Sequence, residues 1–108
     1  MAVVTLDGAT ITDWAAFHAQ SKQAFGFPDF YGASMDAWID CLSYLRDDDG
    51  MAALRLGPDE VLQIDILHAD IWRAAHPEML EEVLYCIEGI NERYADYGEP
   101  PALRANLR

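Results

Sequence analysis

The sequence predicts an α/β fold: a small three-stranded parallel sheet packed with helices. Three observations predict it. Short runs rich in Val, Ile and Leu open the chain, recur past its middle and recur weakly at its end. Segments with helical periodicity lie between them. Strands separated by helices favour a parallel sheet with right-handed crossovers. The predicted order is β-α-α-β-α-α-β. With 108 residues and no internal repeat, linker or low-complexity stretch, the chain reads as one domain over residues 1–108.

The first strand is read over Ala2 to Leu6, ended by a turn at Asp7-Gly8. Thr12 is placed to cap a helix starting at Asp13, in which Trp14, Phe17, His18, Ser21 and Phe25 follow helical spacing. Phe25 to Gly32 is a loop, punctuated by two glycines and Pro28 and crowded with aromatic residues. Ser34 caps a second helix, Met35 to about Leu45. Arg46 to Gly50 is an acidic turn, and Met51 to Pro58 fits either a short strand or a loop. Val61 to Leu67 alternates as a strand does. Ala69 to Ala75 reads as a short helix. Pro77 suits the first turn of a further helix reaching about Tyr94. Tyr97 to Pro101 breaks the chain before a last strand over Ala102 to Leu107.

Nineteen acids face seven bases, a formal net charge of −12. Such a field repels nucleic acid and anionic membrane surfaces, and it attracts basic proteins. Acidity also serves solubility alone, so charge by itself leaves both readings open. No basic start precedes an apolar run, and no stretch approaches the ~18 residues of a membrane span. The expectation is a soluble, cytoplasmic protein, monomeric when free. Cys41 and Cys86 fall in apolar helical patterns without a CxxC pair, which predicts two buried free thiols.

The helix over 34–45 carries most of the information about function. On a wheel of about 100° per residue, Trp38, Cys41, Leu42 and Leu45 share one face and should enter the core. Asp36, Asp40 and Ser43 share the opposite face, flanked by Ile39 and Tyr44. Asp36 and Asp40 are four apart and repel one another, an arrangement suited to a cationic partner or, at its plainest, to a solvated helix face. The preceding loop presents Asp29, Phe30 and Tyr31 directly after Pro28. Aromatic residues on such a loop serve as interface anchors, or one of the two plugs the core beneath it. Residues Asp29 to Glu60 hold eight acids and two arginines, a net charge of −6.

Other chemistry is poorly supported. His18, His68 and His76 show no metal-ligand spacing. Asp47-Asp48-Asp49-Gly50 lacks the alternating ligands of a calcium loop, and Pro58 stands where its closing Glu would be. No phosphate loop and no nucleophile motif is present. No metal or cofactor is therefore expected. Asp36 and Asp40 could form an acid dyad of a small acid-dependent enzyme, but partners for that chemistry are missing.

The run Phe27-Pro28-Asp29-Phe30-Tyr31-Gly32-Ala33-Ser34-Met35-Asp36-Ala37-Trp38-Ile39-Asp40-Cys41-Leu42 resembles the central segment of barstar-like ribonuclease inhibitors. The family pattern there is an apolar residue and Pro, an acid, two aromatics, Gly and a short polar step. An apolar residue, Asp-Ala, two more apolar residues and Asp-Cys-Leu follow. The resemblance covers roughly the first half of the chain; after Gly50 only the order of elements agrees. It implies a three-stranded parallel sheet packed on helices and a protein without enzymatic activity. Loop and second helix would enter the active site of a basic ribonuclease and cover its groove for the RNA phosphates. By this resemblance Asp40 is the chief ligand of the enzyme's cationic phosphate site, and Asp36 makes a second charged contact. Phe30 stands where the family has a stacking Tyr. Ile39 and Ser43 stand where a member of the family has an interfacial Trp and a hydroxyl contact. A later acidic contact, on the helix before the last strand, falls near Glu88 or Gly89. The middle around Asp47 to Asp59 and the C-terminus are longer than in the pattern. The alternative partner is another cationic protein, bound by a non-inhibitory acidic interaction domain of the same fold.

Overall fold

A computed structural model describes residues 2–47 and 50–108. Three strands, β1 (Ala2–Asp7), β2 (Leu62–Leu67) and β3 (Leu103–Leu107), form one sheet in the order β1-β2-β3. Both pairings are parallel: Val4 stands opposite Ile64, which stands opposite Ala105. The helices are α1 (Trp14–Phe25), α2 (Met35–Leu42), α3 (Ala69–Ala75) and α4 (Pro77–Asp96). The predicted α/β class and strand direction are thus those observed.

Alternation decides which sheet face is covered, because successive strand residues point to opposite sides. Val4, Leu6, Leu62, Ile64 and Ile66 are buried against the helices, with Phe17, Phe25, Trp38, Leu42, Trp72, Leu80, Val83 and Ile90. The other face carries a polar cluster. There Asp65 accepts hydrogen bonds from Asn106 Nδ2 (2.9 Å) and Gln63 Nε2 (2.8 Å), and Arg108 lies 3.7 Å away. Those bonds, Asn106 first, hold the Asp65 carboxyl below its ordinary range.

Several boundaries differ from the sequence expectation, each for a local reason. Asp13, not Thr12, caps α1: its Oδ1 accepts from the Ala16 amide at 2.8 Å, so the helix begins at Trp14. The helix predicted to run to about Leu45 ends at Leu42, because Tyr94 intervenes. The Tyr94 hydroxyl donates to the Leu42 carbonyl (2.8 Å) and accepts from the Leu45 amide (2.9 Å), replacing the next turn of helix. The segment over 51–58 forms neither helix nor strand. It is laid against the C-terminus of α1 by bonds from the Ala53 and Leu54 amides to the Gly26 and Phe25 carbonyls, and it buries Ala52 and Leu56.

The acidic turn at 46–50 hides its one cation. The Arg46 side chain is buried and donates to the carbonyls of Glu60, Pro100 and Pro101, beneath the ring of Tyr94. It thereby ties the end of α2 to the segment that leads into β3. Asp47 is exposed; Asp48 and Asp49, expected beside it, lie outside the described residues. The sequence marks Gly8 simply as a turn residue. A Cβ there would come within 2.8 Å of the Leu67 carbonyl and 2.9 Å of that of His68. Close approach of β1 to the start of α3 requires glycine at that point.

Cys41 and Cys86 are buried free thiols. Burial, and then the negative charge of Asp40 beside Cys41 and of Glu82 beside Cys86, pushes both up and away from the reactive thiolate.

Candidate functional site

The loop between α1 and α2 is organised from beneath. Gly26 ends α1 in the left-handed conformation at φ +71°, with its amide on the Lys22 carbonyl. Phe27 turns into the core and stacks on Phe25 at 5.3 Å. The Tyr31 amide donates to the Pro28 carbonyl at 3.0 Å, closing a turn over Asp29 and Phe30. Tyr31 packs on Phe27 and sets its hydroxyl 2.6 Å from His18 Nδ1. Of the two loop aromatics, Tyr31 is therefore the plug, and Phe30 is thrown outward with 76% of its surface exposed. Asp29 is exposed, 4.0 Å from Lys22 Nζ.

The Tyr31–His18 pair gives the loop a pH dependence. Burial lowers the His18 pKa and pushes the Tyr31 hydroxyl far above its ordinary value. His18 is thus neutral, and its Nδ1 and the Tyr31 hydroxyl share one hydrogen bond whose direction follows the imidazole tautomer. A histidine whose folded pKa is lowered adds its full stabilisation above its unfolded value of 6.5. That contribution declines as pH falls from there toward the lower folded value, because the unfolded chain takes up the proton first. Asp65 adds a second loss below its ordinary 3.8, since its folded pKa is depressed. Urea midpoints measured from pH 8 to pH 3 should fall in two stages, and His18→Gln should remove the upper stage only.

Ser34 starts α2, its hydroxyl accepting from the Ala37 amide at 3.1 Å, and Asp36 in the first turn suits the positive end of the helix. Trp38, Cys41, Leu42 and Leu45 are buried, as the wheel requires. Asp36 and Asp40 are exposed, Ile39 and Ser43 are half-buried, and Tyr44 is 43% exposed.

The exposed side of α2 lies along α4, and the seam between them has two hollows. One, about 220 Å³, is lined by Ile39 of α2 and by Tyr85, Cys86, Glu88, Gly89, Glu92 and Arg93 of α4. The other, about 360 Å³, is lined by Asp40, Ser43 and Tyr44 with Arg93, Asp96 and Tyr97. Ile39, Asp40, Ser43 and Tyr44 are thus brought to one place. Asp29, Phe30, Tyr31 and Asp36 line neither hollow. Asp36 is still near enough to α4 for its charge to act on the Cys86 thiol. A larger hollow, about 750 Å³, opens between Trp14, Met35 and the start of α4, and none of the predicted site residues lines it.

A family described as Barstar (barnase inhibitor) has a sequence model that matches residues 1–106. The chain belongs to the barstar family. The match extends well past Gly50, where the resemblance read from the first half of the sequence had faded. No curated protein matches the chain. The family's description names an inhibitor of barnase.

The α4 wall of this barstar-family face was largely missed from sequence. Tyr85, 72% exposed, stands with Glu88, Gly89 and Glu92, and Tyr97, just past the end of α4 and 80% exposed, stands with Arg93 and Asp96. The spacing 85, 88, 92 and 96 is one helical stripe, so a wheel drawn for α4 would have grouped these residues. It would not have revealed that the stripe borders α2. Arg93 was missed altogether. Its Nη1 donates to Asp40 Oδ1 at 3.2 Å and to Ser43 Oγ at 3.1 Å. Among the described residues no cluster of three His, Cys, Asp or Glu could hold a metal, and no helix is long and apolar enough to cross a membrane.

Tyr94 connects the core to this face by fixing where α2 stops. Tyr94→Phe removes the hydroxyl from both the Leu42 carbonyl and the Leu45 amide, leaving two buried backbone groups without that partner. Stability should drop by about 1–3 kcal/mol, read from the urea midpoint. Amide exchange at Leu45 should accelerate more than exchange in β2.

Proposed function

We propose that this chain inhibits a basic ribonuclease, docking the loop around Phe30 and the exposed side of α2 over the enzyme's active site while α4 forms a flanking wall. The observation that carries this reading is the set of carboxylates and exposed aromatics along the seam of α2 and α4. Tyr44 stands with Asp40 and Asp96, and Tyr85 with Glu88 and Glu92, while Phe30 and Asp36 are exposed on the loop and first turn that lead into α2. A nuclease must bind a polyanion, so its site is cationic. Carboxylates can take the phosphate positions through charge-assisted hydrogen bonds, and the aromatics exclude water around them. Membership of a family described by barnase inhibition supports the same direction. Asp40 is assigned the principal charged contact, Asp36 the second, and Asp29, Phe30, Tyr31, Ile39, Ser43 and Tyr44 the surrounding surface. The protein would act as a one-to-one, monomeric, cytoplasmic inhibitor with no cofactor.

Titration of barnase and of other small basic ribonucleases with the purified protein tests this. Activity should fall to zero at one equivalent for the cognate enzyme. Full activity of every such enzyme in excess inhibitor would remove the proposal. A second reading, an acidic interaction domain that does not inhibit, is favoured by Phe30 and Ile39, which lack the hydroxyl and the indole the family pattern offers there. It predicts nuclease-independent capture of a cationic protein by the same face. An acid-dependent enzyme would need a closed pocket around Asp36 and Asp40, whereas the Asp40 side chain is 56% exposed.

A further inference from the structure

We propose that the free protein occupies its own cation site: Arg93 stands on Asp40 as an internal substitute that a partner's cation must displace. This rests on the reading that the α2–α4 face binds a cationic partner, and it adds that binding there is an exchange of cations.

Arg93 is the sole basic residue of α4, Pro77–Asp96. It projects across the seam and makes its two side-chain bonds through one nitrogen, Nη1, to Asp40 Oδ1 and to Ser43 Oγ. Ser43 is itself held, donating to the Ile39 carbonyl at 2.6 Å. The guanidinium therefore sits where α2 offers its carboxylate. The attachment is light. Arg93 and Asp40 keep 48% and 56% of their side-chain surface in water, and only one of the carboxylate oxygens is engaged. An arginine that presents two parallel N–H groups to a carboxylate binds better than one using a single nitrogen. The internal pair is thus strong enough to orient Asp40 and weak enough to be exchanged.

Two consequences follow. In the free protein Arg93 offsets the repulsion between Asp36 and Asp40 and holds the Asp40 carboxylate toward the seam. When a partner arrives, its cation must remove Arg93 or bear a like charge a few ångströms away. Either way Arg93 lowers the affinity of this face. Displacing an exposed ion pair weakens binding by about two- to fivefold.

The test uses a fluorescent hexa-arginine peptide and four purified proteins: the parent, Arg93→Gln, Asp40→Asn and Arg73→Gln. Arg73 is exposed on α3 and, among the described residues, pairs with no carboxylate. Its replacement therefore matches the change in net charge without touching the seam. Arg93→Gln should bind the peptide about two- to fivefold more tightly than Arg73→Gln, and Asp40→Asn should bind it less tightly than the parent. Combining Asp40→Asn with Arg93→Gln should abolish the advantage of the latter. Equal affinities for Arg93→Gln and Arg73→Gln, with Asp40→Asn still weakened, would overturn the exchange and leave the cationic-partner reading standing. Weaker binding by Arg93→Gln would also overturn it, by making Arg93 a direct contributor. An Asp40→Asn protein that binds like the parent, or a parent that fails to bind, would remove both.

Discussion

Asp40→Ala is expected to weaken binding to the cognate ribonuclease more than any other single change, with Asp36→Ala second. Asp40 stands on the exposed side of α2 beside Ile39 and Tyr44, where a docked partner would exclude water. Removing it would strand cationic groups of the enzyme in a desolvated site. Truncating one member of such a charge pair costs about 2–5 kcal/mol, a range to which barnase–barstar complexes themselves contribute. The inhibition constant should rise from about 30-fold to several thousand-fold. Folding should barely change. The variant loses an exposed ion pair with Arg93, worth about 0.2–1 kcal/mol, and gains relief from the i,i+4 repulsion by Asp36, worth a similar amount. Sequence alone suggests slight stabilisation, since only the repulsion is visible there; with Arg93 in place the two effects nearly cancel. Nuclease titration and a thermal midpoint on the same sample check both halves. Unchanged inhibition, or an unfolded variant, would show the proposed interface to be wrong.

Trp38→Ala should have the largest effect on stability. Trp38 is fully buried beneath the same helix, with Phe17 and Phe25 about its ring, and its indole N–H donates to Ser21 Oγ at 3.1 Å. Deletion leaves a cavity and an unpaired buried hydroxyl. The cost is about 3–5 kcal/mol, a large fraction of the stability of a small domain. Trp38→Phe keeps most of the apolar surface but loses the bond to Ser21, so its loss should be clearly smaller. Urea unfolding of the two variants separates packing from hydrogen bonding. A loss below about 1 kcal/mol for Trp38→Ala would mean that the core beneath α2 collapses around the vacancy.

How much was legible beforehand differs by kind of interaction. Periodicity and composition are local. Runs such as Val61 to Leu67 and the wheel of 34–45 therefore announced the strands, the parallel class, the buried set Trp38, Cys41, Leu42 and Leu45, and the outward set with Asp36 and Asp40. Alternation marks which side of an element is apolar without regard to its neighbours. Element ends were less legible, because distant groups set them. α2 stops at Leu42 because a hydroxyl 52 residues away, on Tyr94, takes its carbonyl. The Arg46 side chain turns inward because the carbonyls of Pro100 and Pro101 lie within its reach. Which loop aromatic faces water was likewise decided by His18, on another element.

The sequence by itself thus determined the architecture and the acidic, aromatic character of one helix and its loop, since both follow from the order and period of side chains. Tertiary structure decided what stands opposite that helix. Only the packing of α4 along α2 brings Tyr85, Glu88 and Glu92 beside Ile39 and lays Arg93 on Asp40. Those residues lie some 50 positions apart in the chain. Charge interactions depend on distance in space, not along the sequence. Arg93, which no local pattern singles out, is therefore the counter-ion of the carboxylate proposed to bind the partner.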